Sequence, residues 1–221
     1  MFQKTFQLFC LTSAVWAVAP IAKADLILDP AAVSTNMGTF SAQHVPVNVI
    51  NQSGLSVGYT SLVTDFTTYI SSNPTHNTTN NDWFSTPGTI TGNFDFDLGG
   101  AFTIEALSLW DIGGNNNSSL VGFTLLAGSD ATFSSSTVLG TFSANPNTGP
   151  LTAALPQVFN FSPTAASFVR MQITSNNGAG QTGFGEAAFA VVTSPEPASI
   201  FLCGAAFALA IVCGKRYRAR A

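Results

Sequence analysis

The sequence predicts an all-β protein with a β-sandwich fold. Its central region is rich in Thr, Val, Phe, Ser, Gly and Asn, which are residue types typical of strands and turns. Apolar residues in this region mostly alternate with polar ones, as expected for strands with one buried face. About eight such segments follow one another, with turn residues but no helical segments between them, and this spacing favours a sandwich.

Residues 1–24 have the pattern of a secretory signal peptide. Lys4 precedes an apolar stretch over 6–21, and Ala22 and Ala24 are the small residues that signal peptidase needs at its cleavage site. Cleavage after Ala24 by signal peptidase would make Asp25 the N-terminus of the mature protein. The sequence therefore predicts an exported protein.

Residues 194–221 have three parts that together suggest a second targeting segment. Pro195 and Pro197 flank Glu196, and such a Pro pair ends any preceding strand or helix. The apolar run over 198–214 is at the short limit for a transmembrane helix, which needs about 20 residues. The basic residues that follow are Lys215, Arg216, Arg218 and Arg220. Because basic ends stay in the cytoplasm, the body of the protein is predicted to lie across the membrane.

This arrangement resembles the PEP-CTERM sorting signal of Gram-negative bacteria, which an exosortase recognises. Pro195, Glu196 and Pro197 match the motif, and Ser194 stands where the family often has Val. The resemblance implies that a membrane-anchored precursor is cleaved and delivered to the cell surface or extracellular matrix, commonly in producers of exopolysaccharide. An ordinary C-terminal membrane anchor is the alternative.

Residues 25–193 between these segments have the size of one domain. The cysteines Cys10, Cys203 and Cys213 all lie outside this span, so its stability must come from a hydrophobic core rather than from disulfides. Arg170 is its one basic residue, against ten acidic residues. This charge excludes nucleic acid as a partner, because phosphate binding requires Lys and Arg.

The clearest strand is predicted over 89–98. Phe94 and Phe96 take one face there, while Asp95 and Asp97 take the other, as in a half-buried strand. The next predicted strand begins at Phe102, and a phase shift near Glu105-Ala106 predicts a β-bulge. Further strands are predicted over 45–50, 121–127, 138–142, 158–161, 168–174 and 186–192. One short helix is predicted from the helical spacing of Leu62, Phe66, Tyr69 and Ile70.

Five motifs follow one another from about Trp83 to Val192. They are NFDFDLG at 93–99, LSLW at 107–110, GFTL at 122–125, SFVRMQI at 167–173 and GFGEAAF at 183–189. In this order they resemble the discoidin domains, also called coagulation-factor type C or galactose-binding-like domains. The resemblance implies a jelly-roll β-sandwich. The chain departs from the family before Trp83, where relatives often carry an Asp-Gly turn.

Arg170 lies in an apolar strand pattern and is therefore predicted to pair with a carboxylate, with Asp97 and Glu186 as candidates. A structural clamp is the expected role of this pair, with ligand binding as the alternative.

A sugar site needs an aromatic platform surrounded by amide or hydroxyl groups on loops at one end of the sandwich. Trp83 and Phe84 are predicted to form this platform. The alternative for Trp83 is that it covers the hydrophobic core beneath a long loop. Trp110 is predicted to be core. The polar loops that would surround the platform carry Asn115, Asn116, Asn176 and Asn177.

The discoidin resemblance also implies a possible structural calcium ion, since several sugar-binding relatives hold one near the first loop and the last strand. The corresponding ligands here are Asn77, Asp82 and Glu186, and no other cofactor is expected. Calcium prefers several oxygen ligands, which these residues can supply. The alternative is that Asn77 and its neighbours are ordinary turn residues.

No catalytic residue is predicted. Residues 54–58 read GLSVG and match the nucleophile elbow at Ser56, with Asp65 and His76 following in hydrolase order. An elbow requires a parallel α/β sheet, however, which the strand pattern does not predict. His44 and His76 are the only histidines and form no zinc motif.

The sequence thus predicts an exported, non-catalytic protein that binds carbohydrate or exopolysaccharide in adhesion or biofilm. A matrix protein without a discrete ligand site is the alternative, and a secreted hydrolase is a remote one. The expected partners are signal peptidase and exosortase during export, the membrane before processing, and a glycan.

Overall fold

The computed structural model describes residues 25–192, so the predicted signal peptide, sorting motif and transmembrane helix lie outside the described residues. Within this range no helix is long and apolar enough to cross a membrane. The elements are β1 (Asp25–Leu28), β2 (Ala32–Thr35), a 3-10 helix (Pro46–Ile50), α1 (Phe66–Ser71), β3 (Trp83–Phe84), β4 (Gly92–Trp110), β5 (Leu120–Gly128), β6 (Ser136–Ser143), β7 (Pro156–Asn176), β8 (Gly183–Phe184) and β9 (Glu186–Val192).

Two long strands, β4 and β7, pair with each other along both layers of the sandwich. In the first layer, the beginning of β4 pairs with β2 and with the end of β7, and β5 and β6 extend that layer. In the second layer, the end of β4 pairs with β9 and with the beginning of β7, and β1 lies at the edge. The register of β4 breaks between Asp97 and Phe102, where the strand passes from one layer to the other. The predicted all-β sandwich is confirmed.

The predicted alternation in β4 is also confirmed. Phe94 and Phe96 are fully buried, whereas Asp95 and Asp97 are only partly buried on the opposite face. The ring of Phe96 lies 5.4 Å from that of Phe189, which joins the first layer to the second. A further register shift between Ile104 and Ala106 matches the predicted bulge.

Three element predictions need correction. Residues 45–50, predicted as a strand, form the 3-10 helix, because Pro46 has no N–H to donate to a strand ladder. The segments 158–161 and 168–174 are parts of one strand, β7. The helix is confirmed as α1, but Leu62 lies outside it with a φ of 59°.

Arg170 does pair with a carboxylate, but its partner is Asp95 rather than Asp97 or Glu186. Asp95 and Arg170 stand directly opposite each other in the β4–β7 register. Nε of Arg170 donates to Oδ1 of Asp95 and Nη2 donates to Oδ2, both at 2.7 Å. Glu186 is buried at the start of β9 in the other layer.

The two ends of the described chain lie side by side. β1 is antiparallel to β9, and Asp25 stands opposite Val192. At the other end of β9, Glu186 stands opposite Trp110, the last residue of β4. The loops that follow β4 and precede β9 therefore meet at the end of the sandwich that is remote from both chain ends.

Candidate functional site

The loop cleft is a depression of about 220 Å³ beside the end of β4. Its lining comes from segments that are distant in sequence, which the β3–β8 and β4–β9 pairings bring together. The lining residues are His44, Thr78, Thr79, Asn80, Asp82, Phe84, Ile112, Asn116 and Leu151.

Aromatic rings form one side of the loop cleft. Phe84 is half-buried, and the ring of His44 meets it edge-on at 5.1 Å between centroids. Phe40 is 49% exposed and lies 5.7 Å from His44, which extends this apolar side into solvent. Gly183 pairs with Phe84 and leaves it room, since a Cβ at this position would lie 2.4 Å from Cδ1 of Phe84.

A histidine–carboxylate pair forms the polar side. Nδ1 of His44 hydrogen-bonds Oδ1 of Asp82, and Asn48 donates to the main-chain oxygen of Asp82 at 2.9 Å. Burial raises the pKa of Asp82, and the contact with His44 opposes this shift. Because the carboxylate engages Nδ1, Nε2 is the remaining polar atom of the His44 ring for a ligand.

The four predicted asparagines divide into one that lines the cleft and three that do not. Oδ1 of Asn116 accepts from the Ser118 N–H, so its amide NH₂ group remains for a ligand. The Asn177 amide instead donates to the main-chain oxygen of Asn116 at 3.1 Å and to Oδ1 of Asn115 at 3.3 Å. The Asn176 amide donates within its own loop. These contacts tie the two polar loops together beside the cleft.

Trp83 is not part of the cleft. Its side chain is fully buried, donates from Nε1 to the Gly38 oxygen, and packs 4.8 Å from Phe94 and 5.6 Å from Phe184. Neighbouring strand residues point to opposite faces, so Phe84 reaches the cleft while Trp83 enters the core. This buried position agrees with the alternative prediction, in which Trp83 lies over the core. Trp110 is fully buried, as predicted.

The three predicted calcium ligands have separate environments. Asn77 Oδ1 accepts from the Thr79 N–H, as in a turn, and Asp82 is held by His44. Glu186 is fully buried, with Oε2 accepting from the Gln52 N–H. Within residues 25–192, no group of three or more His, Cys, Asp or Glu side chains is arranged to hold a metal ion.

The surroundings of Glu186 fit calcium poorly. Nε2 of His76 lies 3.9 Å from its carboxylate, and an imidazole is not the oxygen ligand that calcium prefers. Burial raises the pKa of Glu186 well above its usual value and lowers the pKa of His76 to about 4. Both side chains therefore favour their neutral forms. The calcium ion stays a prediction from resemblance.

The residues of the formal hydrolase motif have separate structural roles. Ser56 Oγ accepts from the Thr75 N–H at 2.9 Å, and Asp65 caps the N-terminus of α1 through the Thr68 N–H. His76 is fully buried near Glu186. Among residues 25–192, neither the Asp65 nor the His76 side chain forms the hydrogen bonds that a triad with Ser56 would require.

Two site features have no local signal in the sequence. His44 belongs to no zinc motif, and its partner Asp82 lies 38 residues away, so no local pattern marks the pair. Asp111 likewise belongs to no motif. Its Oδ1 accepts from the N–H groups of Ile112 and Leu120, which close the loop carrying Asn116.

Comparison with known proteins shows the fold. No protein-family model matches the chain, and no curated protein matches it. Among solved structures, a truncated AlyQ with CBM32 and alginate lyase domains gives a TM-score of 0.52 at 20% identity, and the match covers 79% of this chain. The match spans 35% of AlyQ, which is about a third of its length.

Two matches to single modules from Clostridium perfringens cover nearly the whole module. The CBM32-3 structure from a family 31 glycoside hydrolase gives a TM-score of 0.52 at 12% identity, covering 75% of this chain and 94% of that one. The family 32 CBM of NanJ, solved in complex with galactose, gives 0.50 at 13% identity, covering 76% and 99%. The described chain therefore has the discoidin-like jelly-roll fold of the CBM32 modules.

Proposed function

We propose that this protein is a non-catalytic carbohydrate-binding protein whose loop cleft takes a neutral sugar. The observation that carries the proposal is the meeting of the His44–Asp82 pair with Phe84 and Asn116 in one cleft. These groups were separate in the sequence and meet at the loop end of a CBM32-type sandwich.

The chemistry of the loop cleft suits a sugar ring. The apolar face of a sugar packs against Phe84, and its hydroxyls accept from the Asn116 amide and donate to Nε2 of His44, which is the acceptor nitrogen when Nδ1–H donates to Asp82. Asp82 fixes the orientation of His44 and adds an acceptor. Matching donors and acceptors in a half-buried cleft are the basis of specificity for hydroxyl groups, because an analogue that lacks one leaves a buried group unpaired.

Charge favours a neutral sugar over a uronic acid. Asp82 is a carboxylate within the cleft, and no Lys or Arg lines it. Arg170, the one Lys or Arg among residues 25–192, is paired with Asp95 elsewhere. An acidic sugar would therefore meet a like charge without a compensating cation.

The fold comparisons support the ligand class. The NanJ module was solved with galactose, and another C. perfringens structure, the CBM32-1 and CBM32-2 domains of ZmpB, was solved with GalNAc. These ligands support carbohydrate as the ligand class, and the charge of the loop cleft supports a neutral one. At 13% and 11% identity these matches show the fold. The proposal that this protein also binds a sugar rests on the residues of its own loop cleft.

We further propose that the protein acts outside the cell. Its N-terminal segment resembles a signal peptide, and its C-terminal segment resembles a signal that an exosortase cleaves from a membrane-anchored precursor. A sugar-binding domain delivered in this way would bind exopolysaccharide at the cell surface or in the matrix and contribute to adhesion or biofilm.

Isothermal titration calorimetry on the purified full-length protein tests the ligand proposal. Galactose, GalNAc and neutral galactan oligosaccharides are the probes, with mannuronate oligosaccharides as the acidic comparison, each with calcium or with chelator. We expect saturable binding of a neutral probe and weaker binding of mannuronate. Phe84→Ala should weaken the neutral binding by about tenfold or more. Val63→Ser is the control, because Val63 is 70% exposed and does not line the loop cleft.

The outcomes separate the alternatives. Equal binding by wild type and Phe84→Ala would place the site elsewhere, and tighter binding of mannuronate would refute the charge argument. Lack of binding to every probe would favour the matrix protein without a discrete ligand site. Loss of binding in chelator would support the calcium prediction.

A further inference from the structure

A second depression, the outer-face groove, lies on the outward face of the first layer. It has a volume of about 200 Å³ and lies where β2, β4 and β7 meet the loop after β5. Its lining includes Ser34, Asp95, Asp97, Phe133 and Phe168. None of these residues lines the loop cleft.

The outer-face groove has fixed hydrogen-bonding groups, because Asp95 lines it and is paired with Arg170, which lies beside the lining residues Asp95 and Phe133. The guanidinium uses two of its five N–H donors on Asp95, and its central carbon lies 4.2 Å from the centre of the Phe133 ring. Asp97 accepts from the Gly99 N–H through Oδ1, which leaves Oδ2 as a further acceptor. Donors and acceptors thus stand side by side next to aromatic surface.

The loop after β5 holds Phe133 over the groove instead of in the core. Phe133 has a φ of 54°, which is uncommon for a bulky residue. Gly128 makes room for its ring, because a Cβ there would lie 2.8 Å from Cδ1 of Phe133. Asp130 ties the loop by accepting from Thr132 and Ser134 on either side of Phe133. The local sequence therefore maintains a strained placement of an aromatic ring beside a charged pair.

We propose that the outer-face groove is a second carbohydrate site, which takes a neutral glycan chain. The groove supplies an aromatic ring and two carboxylates, and Arg170 beside it has further N–H donors; these are groups that recognise paired sugar hydroxyls. An anionic ligand is disfavoured because Asp95 and Asp97 outnumber Arg170. A neutral, hydroxyl-rich chain meets both donors and acceptors without separating the ion pair.

With two sites on one chain, the protein would bind a polysaccharide at two points. A polysaccharide that occupies one site raises the effective concentration of its other segments at the second site. A single protein molecule would also join two polysaccharide chains. This proposal adds a site to the proposed function and shares only the ligand class with the loop cleft.

Titration of the full-length protein with neutral galactan, glucan and mannan oligosaccharides tests the second site through its stoichiometry. We expect two sites per chain in the wild type and one in Phe133→Ala, with affinity at the groove lowered by about tenfold or more. Ser34→Gln is the second variant, because it fills the groove from the exposed strand β2 and leaves the ion pair intact. Phe84→Ala should weaken binding at the loop cleft by about tenfold or more and leave the groove unaffected, and Val63→Ser should retain both sites. Near-ultraviolet circular dichroism checks that each variant is folded.

Each outcome decides the proposal. A single site in the wild type that persists in Phe133→Ala and Ser34→Gln would overturn the outer-face groove and leave the loop cleft standing. Two sites that persist in Ser34→Gln would also overturn it. Failure of every oligosaccharide to bind the wild type would overturn both the groove and the proposed function.

Discussion

Asp111 makes the stability of this domain depend on pH in a direction that can be worked out from the structure. The carboxyl is fully buried at the end of β4, and Oδ1 accepts from the N–H groups of Ile112 at 2.8 Å and Leu120 at 3.1 Å. Among the described residues, Oδ2 has no hydrogen-bond partner. Burial raises the pKa of Asp111 from 3.8 to about 8, and the two N–H contacts oppose this rise.

The sign of the effect follows from the raised pKa. The folded protein holds a proton on Asp111 between pH 4 and pH 8, and the unfolded chain does not. The stabilisation is therefore fully present below pH 4 and is lost as the pH rises towards 8. Each pH unit is worth about 1.4 kcal/mol, so the loss over this range is on the order of 5 kcal/mol.

Asp111→Asn removes the titrating group and keeps an acceptor for Ile112 and Leu120. We expect the free energy of unfolding of the variant, relative to wild type, to increase by about 1.4 kcal/mol per pH unit from pH 4 to pH 8. Glu186 and His76 are unchanged in both proteins, so their contributions cancel. Urea denaturation of both full-length proteins across this range gives the measurement. A difference that stays constant with pH would refute a buried, protonated Asp111.

Two further predictions concern the ion pair and the chain ends. Asp95→Asn should lower the free energy of unfolding by about 1–2 kcal/mol in urea denaturation, because the pair with Arg170 is bidentate but still about 20% exposed. Asp97→Asn is the matched control, and an equal loss there would contradict the pairing. Mass spectrometry of protein recovered from the producing cells should find a chain that begins at Asp25 and lacks the basic tail. Recovery of an intact tail ending at Ala221 would contradict sorting by cleavage.

Local patterns predicted the strands because side-chain alternation is a property of neighbouring residues. Phe94 and Asp95 take opposite faces whatever strand lies beside them, and the phase shift at Glu105-Ala106 marks the bulge without knowledge of its partner. The error at 45–50 has a local cause as well. Pro46 cannot donate to a ladder, and its effect outweighed the apolar alternation around it.

Pairings across the sheet were not predictable in the same way, because they depend on register between distant segments. Arg170 indicated an ion pair, but both candidate partners, Asp97 and Glu186, were wrong, because the β4–β7 register places Asp95 opposite Arg170. The His44–Asp82 pair likewise depends on how the 3-10 helix and β3 approach each other. The sequence therefore predicted the part of the chain that forms the candidate site, including Phe84 and Asn116. It did not predict which side chains contact one another there.

The antiparallel pairing of β1 with β9 determines how this domain is displayed. Asp25 and Val192 emerge next to each other, while the loop cleft lies beyond the opposite end of β9. β9 has seven residues, so that distance is roughly 20 Å. An attachment through the residues that follow Val192 would therefore leave the loop cleft, the proposed sugar site, at the end of the domain remote from that attachment.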